Sequence, residues 1–201
     1  MKGIATFISI VLHPLLMTSY LFVILFFFLP VIFQPIRPSL AFIGLIFLMT
    51  FVLPALNFIF FKVTGTIDNL AMPERRQRTL PFLFISILYC VVTFLFHWKV
   101  GVASVTHLLM IISALVVISA SITLFYKVSI HSAAIWGVIG ILLPLHKSSN
   151  GSLLISIIVF IIAAGLVMSS RLQLNAHTPR EVLTGSLLGF GIGFAGMLIL
   201  F

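Results

Sequence analysis

The sequence predicts an all-α fold: a polytopic transmembrane helical bundle of about seven spans, forming a single domain over residues 1–201. Three observations carry this. Hydrophobic residues make up 62% of the chain and charged residues only 7%, far below the ~25% charged of an ordinary soluble domain. Apolar runs recur along the whole length, many near the ~20 residues a helix needs to cross a bilayer. Backbone groups in lipid must also bond internally, which a helix achieves within one segment. The short alternating segments of a β-barrel are not seen.

The first run covers residues 4–29 and contains His13-Pro14, where proline is expected to kink the helix. His13 reads as a residue that bonds a carbonyl freed at that kink. A proline-punctuated turn follows at 30–39, with Arg37 its only charge, and the second span is 40–61. The loop 62–81 carries Arg75, Arg76 and Arg78, a set that suits bidentate phosphate binding or, more blandly, anchoring of a cytoplasmic loop. The third span, 82–96, ends at His97-Trp98-Lys99, an interfacial aromatic and base, and the fourth is 102–125. Residues Tyr126 to Ser132 interrupt the apolar sequence. Spans five and six, 132–145 and 153–169, are split by the loop 146–151. The seventh, 179–201, places Gly185, Gly189 and Gly193 on one face, a smooth stripe for close helix packing and a possible homo-oligomer surface. His97, His107 and His146 follow no pattern and read as interface or packing residues. Cys90 is single and excludes an internal disulfide. Lys2 precedes a run too long for a cleavable signal, more like a first span.

The net charge is +8, from 11 basic residues against Asp68, Glu74 and Glu181. This excess fits either membrane topology or an anionic lipid headgroup; membrane lipids, not nucleic acid, are the expected partners. Even numbers of spans separate the arginine loop, the 126–132 interruption and the polar window Ser170–Glu181. All three therefore lie at one membrane face, where they can converge on a headgroup. Bases concentrate on that face, which the positive-inside rule makes cytoplasmic.

The chemistry such residues allow is phosphoryl transfer. A neutral histidine can attack phosphorus, and a carboxylate on its other ring nitrogen fixes the tautomer and steadies the developing cation. A second histidine can protonate the leaving oxygen, and arginines neutralise the phosphoryl oxygens. The acidic residues are too few for a two-metal site, so a route without metal or other cofactor suits the chain.

The pattern Ser170-Arg171-x5-His177-x3-Glu181 resembles the third signature, S-R-x5-H-x3-D, of the type 2 phosphatidic acid phosphatase superfamily. Ser129 and His131 match part of the second, P-S-G-H, with Val128 and Ile130 in place of Pro and Gly. The first signature, K-x6-R-P, is not met: Arg78 precedes Thr79, and Ala71 stands where it has Lys. The resemblance, confined to residues 127–193, implies an integral-membrane lipid phosphatase with His177 as nucleophile and His131 as general acid. It makes Ser129 and Arg171 phosphate binders, joined by Lys127, Arg75 and Arg78 as basic candidates. Glu181 stands where the family has the orienting Asp. Independently, Thr178-Pro179-Arg180-Glu181 reads as a helix start with a capping box, so Glu181 has two possible partners. The expected substrate is a lipid phosphate or polyprenyl diphosphate, in a bacterial cell (inner) membrane. The alternative is a non-catalytic relative that binds or transports a lipid anion. A prenyltransferase-like enzyme fits poorly, because Asp68 has no aspartate beside it.

Overall fold

The structure, a computed structural model, describes residues 2–67, 75–149 and 153–201, and for residues 75–78 the backbone alone. Among the described residues it is helical, with no strand. Six helical segments are long and apolar enough to cross a membrane, seven if a bent pair at the start counts as one. This is the helical bundle expected from composition, and it fits a multi-pass membrane protein.

The bent pair is α1 (Lys2–Val11) and α2 (Pro14–Phe28), which meet at 54°. Pro14 has no N–H to continue α1, and His13 caps α2, its Nδ1 accepting from the Leu15 amide at 3.3 Å. The last carbonyls of α1 lack helical donors and are served from outside. The Tyr20 hydroxyl donates to the Val11 carbonyl at 2.9 Å, and His131 Nε2 lies 3.2 Å from that of Ser9. The kink is where proline predicts it. The expected role of His13 is not: His131, from another helix, bonds the freed carbonyl, while His13 accepts an amide.

The second span comprises α3 (Leu40–Phe47), a π-helical stretch (Leu48–Val52) and α4 (Leu53–Val63). Ser39 Oγ caps it by accepting from the Phe42 amide at 3.2 Å. Pro54 offers no N–H to the Thr50 carbonyl, and the buried Tyr89 hydroxyl donates there at 2.8 Å. Tyr89 belongs to α5 (Arg75–Leu95), which continues as a π-helical turn (Phe96–Val100) to Gly101. α6 (Ala103–Thr123) is pinned to α5 by Thr93 and Ser113, whose hydroxyls lie 2.7 Å apart. Such intramembrane bonds tie helices together where lipid supplies no hydrophobic drive between them.

The remaining helices are α7 (Ile130–Ser148), α8 (Leu154–Gln173) and α9 (Pro179–Leu200). The core sits between α2, α6 and α7, where Leu21, Phe22, Leu108, Ile135 and Ile139 are fully buried. α7 and α9 form the most extensive helix pair. A Cβ on Gly185 would lie 2.5 Å from the Ser129 carbonyl oxygen, and one on Gly189 or Gly193 would meet the carbonyls of Ala133 and Gly137. Glycines four apart thus face Ser129, Ala133 and Gly137, also four apart, and the backbones touch. Close packing is what the stripe predicts, but its partner is α7 of the same chain. The glycine face is therefore not open to a second copy, a correction to the homo-oligomer expectation.

Candidate functional site

The polar window between α8 and α9 owes its shape to two local motifs. Asn175 adopts a left-handed conformation at φ 52, which asparagine tolerates better than most residues. The Ala176 amide donates to the Arg171 carbonyl at 3.1 Å and the Asn175 amide to that of Leu172 at 3.0 Å. These two bonds form a Schellman motif that stops α8 and reverses the chain. Thr178 then caps α9, its Oγ1 accepting from the Glu181 amide at 3.4 Å, while Glu181 Oε2 accepts from the Thr178 amide at 3.3 Å. The five residues between Arg171 and His177 are thus one helix stop, and the helix start at Thr178 follows directly after His177.

Glu181 serves both partners the sequence left open. The same Oε2 that closes the capping box lies 2.8 Å from His177 Nδ1. A carboxylate accepts, so His177 donates its Nδ1–H and presents Nε2 as the lone-pair nitrogen of the neutral ring. The His177 side chain is 6% exposed. Burial pushes it down from the ordinary 6.5 to about 4, with the Arg171 charge adding to the effect and the Glu181 hydrogen bond opposing it. At neutral pH it is an uncharged imidazole.

The start of α7 is fastened to the same place. The Ser129 amide donates to the Glu181 carbonyl at 3.2 Å, just beyond the glycine seam. Lys127 brings its Nζ within 4.0 Å of Glu181 Oε2. Arg171, in the last turn of α8, lies within electrostatic reach of His177, His131 and His13. A cavity of about 440 Å³ opens beside these groups, lined by Lys127, Leu172, Asn175, His177, Thr178 and Pro179. It combines a cation, a neutral imidazole and short apolar walls.

The structure therefore brings together Lys127, His131, Arg171, His177 and Glu181, as an even count of spans predicts. Ser129 is fully buried, and its Oγ accepts from the Ser132 amide at 3.4 Å and the Ser132 hydroxyl at 3.0 Å. In this arrangement it caps α7 rather than lining the cavity. Ser170, first residue of the best-matched pattern, donates to the Leu166 carbonyl at 2.7 Å within its own helix. His131 is also absent from the cavity wall, its ring held against Ser9. The side chains of Arg75 and Arg78 lie outside the described residues.

Sequence reasoning missed one member. His13 packs edge-on against His131, ring centroids 5.4 Å apart, so the bend of the first span sits at the level of the site. The signal was available in the His-Pro pair, since a helix break exposes backbone and side chain alike. What no spacing revealed was which helix the break would face.

No protein-family model, no characterised protein and no solved structure matches this chain.

Proposed function

We propose that the protein is an integral-membrane lipid phosphatase, hydrolysing a phosphate or diphosphate ester of a lipid through a phosphohistidine at His177. One observation carries this reading: the 2.8 Å contact between His177 Nδ1 and Glu181 Oε2 beside a cationic cavity. The carboxylate holds the ring proton on Nδ1, and burial keeps the ring neutral, so Nε2 has its lone pair for attack on phosphorus. As the N–P bond forms, the ring becomes cationic and Glu181 stabilises it. Arg171 and Lys127 offset the charge on the phosphoryl oxygens. The leaving oxygen takes a proton from an acid, and water then cleaves the N–P bond to release phosphate. By resemblance the acid is His131. To act through Nε2 it must leave the Ser9 carbonyl, 3.2 Å away in the resting arrangement. A bacterial inner membrane, with a polyprenyl diphosphate or phosphatidic-acid-type lipid as substrate, suits this chemistry.

The engagement of His131 favours a second reading, a non-catalytic protein that binds a lipid anion in the same cavity. Purified protein in lipid nanodiscs, presented with a panel of lipid phosphates with and without chelator, separates the two. Phosphate release that survives chelator, with acid-labile and base-stable labelling of the protein, is the expected result. Saturable binding without release overturns the phosphatase reading in favour of the second.

A further inference from the structure

The first span lies outside residues 127–193, to which the family resemblance is confined, yet its bend meets the site. Helix α1 stops at Val11, and α2 restarts at Pro14 after a 54° turn. In an unbroken helix the Ser9 carbonyl would accept from the His13 amide. At the bend its partner is His131, whose Nε2 lies 3.2 Å away. Ser9 is itself held in place: it is buried, with Ala5, on the helix that packs against α8. The Tyr20 hydroxyl, 2.9 Å from the Val11 carbonyl, braces the last turn of α1.

A carbonyl only accepts, so Nε2 of His131 carries a proton whenever this bond is made, whether the ring is neutral or cationic. In the neutral ring the lone pair is then on Nδ1. This is the reverse of His177, where Glu181 fixes the proton on Nδ1 and leaves Nε2 bare. The two nitrogens of an imidazole point in divergent directions, so Nδ1 of His131 is turned away from the Ser9 carbonyl. Among the described residues no hydrogen bond engages that Nδ1. The ring stands 5.4 Å from His13, centroid to centroid, and within electrostatic reach of Arg171 and His177. Holding Nε2 on Ser9 therefore does not withdraw His131 from the chemistry. It selects the nitrogen that is available for it.

We propose that Ser9 is a positioning residue of the site: the carbonyl freed at the His13-Pro14 bend holds His131 by Nε2–H, so that the ring exchanges its proton through Nδ1. This rests on the phosphatase reading. As the ester P–O bond breaks, the cationic ring gives its Nδ1 proton to the leaving oxygen. When water later attacks phosphorus, the N–P electron pair returns to His177 and the proton of the water goes to Nδ1. Nε2–H stays on Ser9 through both steps.

The test weakens one carbonyl and leaves every side chain in place. The full chain is made with the α-hydroxy acid analogue of isoleucine in place of Ile10, which turns the Ser9 carbonyl into an ester, a poorer acceptor. The same exchange at Ile8 removes an amide from α1 but leaves the Ser9 carbonyl unchanged, and serves as the control. In nanodiscs, nitrogen-15 imidazole spectra should show Nε2 as the protonated nitrogen of His131, the signal being assigned by its loss in His131→Gln. The Nε2–H proton resonance should move upfield in the Ile10 ester and stay in place in the Ile8 ester. With an alkyl phosphate lipid, a poor leaving group, kcat should fall about fivefold in the Ile10 ester, the scale of one hydrogen bond, with KM unchanged. An aryl phosphate analogue should be nearly indifferent, because an acid matters least for a good leaving group. A proton on Nδ1 in place of Nε2, or an Nε2–H signal that ignores the Ile10 ester, would overturn the proposal. So would parent-like kinetics in an Ile10 ester whose signal has moved, or equal losses in the two esters, and in those cases the phosphatase reading stands. A parent that releases no phosphate sinks that reading and the positioning role with it, while the spectra still decide the Ser9 bond.

Discussion

The α7–α9 seam and the α4–α5 flank are packed by opposite means. In the seam, Gly185, Gly189 and Gly193 meet backbone carbonyls with no room for a Cβ. In the flank, Leu and Phe ridges stand apart around a groove whose wall includes Asn57. Between membrane helices there is little hydrophobic attraction, so contact relies on close approach and polar bonds. The seam has both, since the Ser129 amide also bonds the Glu181 carbonyl at 3.2 Å. The two polar segments that converge on His177 are therefore anchored at the most tightly packed place in the bundle, as a preorganised site requires. In the flank α4 and α5 meet instead through rings, as between Phe61 and Phe84 with centroids 5.3 Å apart.

The comparison breaks most severely at Gly189. Gly189→Val would drive a side chain into the Ala133 carbonyl, and the expected result is loss of monodisperse folded protein, beyond the ~1–3 kcal/mol of ordinary overpacking. Gly191→Val, on the same helix with nothing within 4 Å of its Cβ position, should leave the fold intact. Equal behaviour of the two in thermal unfolding would remove the seam from its structural role.

At the head of the seam, His177→Ala should lower phosphate release by about 10²-fold or more and abolish covalent labelling. Glu181→Gln sharpens the point, because Gln still completes a capping box but offers no charge to an imidazolium. The fold should survive and turnover should drop by about 10²-fold. Near-normal turnover would assign Glu181 to helix capping alone.

A pH measurement gauges how dry the site is. His177 should titrate with a midpoint of about 4, against 6.5 for an ordinary histidine. Nitrogen-15 imidazole spectra read this directly. With the native ring holding fewer protons than the unfolded one between those values, its contribution to stability is complete above pH 6.5 and falls as pH drops toward 4. A midpoint near 6.5 would mean that water reaches the ring.

The smallest effect is local. Asn175→Ala should cost about 1 kcal/mol, the price of a left-handed turn for a residue with a Cβ and no local polar partner. Asn175→Gly should be neutral or slightly stabilising. Similar melting temperatures for both variants would argue against the Schellman stop.

Much of this was legible in the sequence. Apolar runs fix helices because lipid leaves backbone groups no other partner, and proline fixes the kink at Pro14 because it lacks an N–H. The capping box at Thr178–Glu181 is local enough to be read from four residues, whereas His177, which precedes the cap, was one of two partners the sequence left open for Glu181. Parity of the spans brought Lys127, Arg171 and His177 to one face. Tertiary structure decided the rest, because hydrogen-bond donors and packing surfaces choose partners by position in space. It sent His131, not His13, to the freed Ser9 carbonyl, and set His13 against His131. It turned the glycine stripe inward onto α7. A four-residue repeat states that a helix face is smooth; only the neighbouring backbone determines what lies against it.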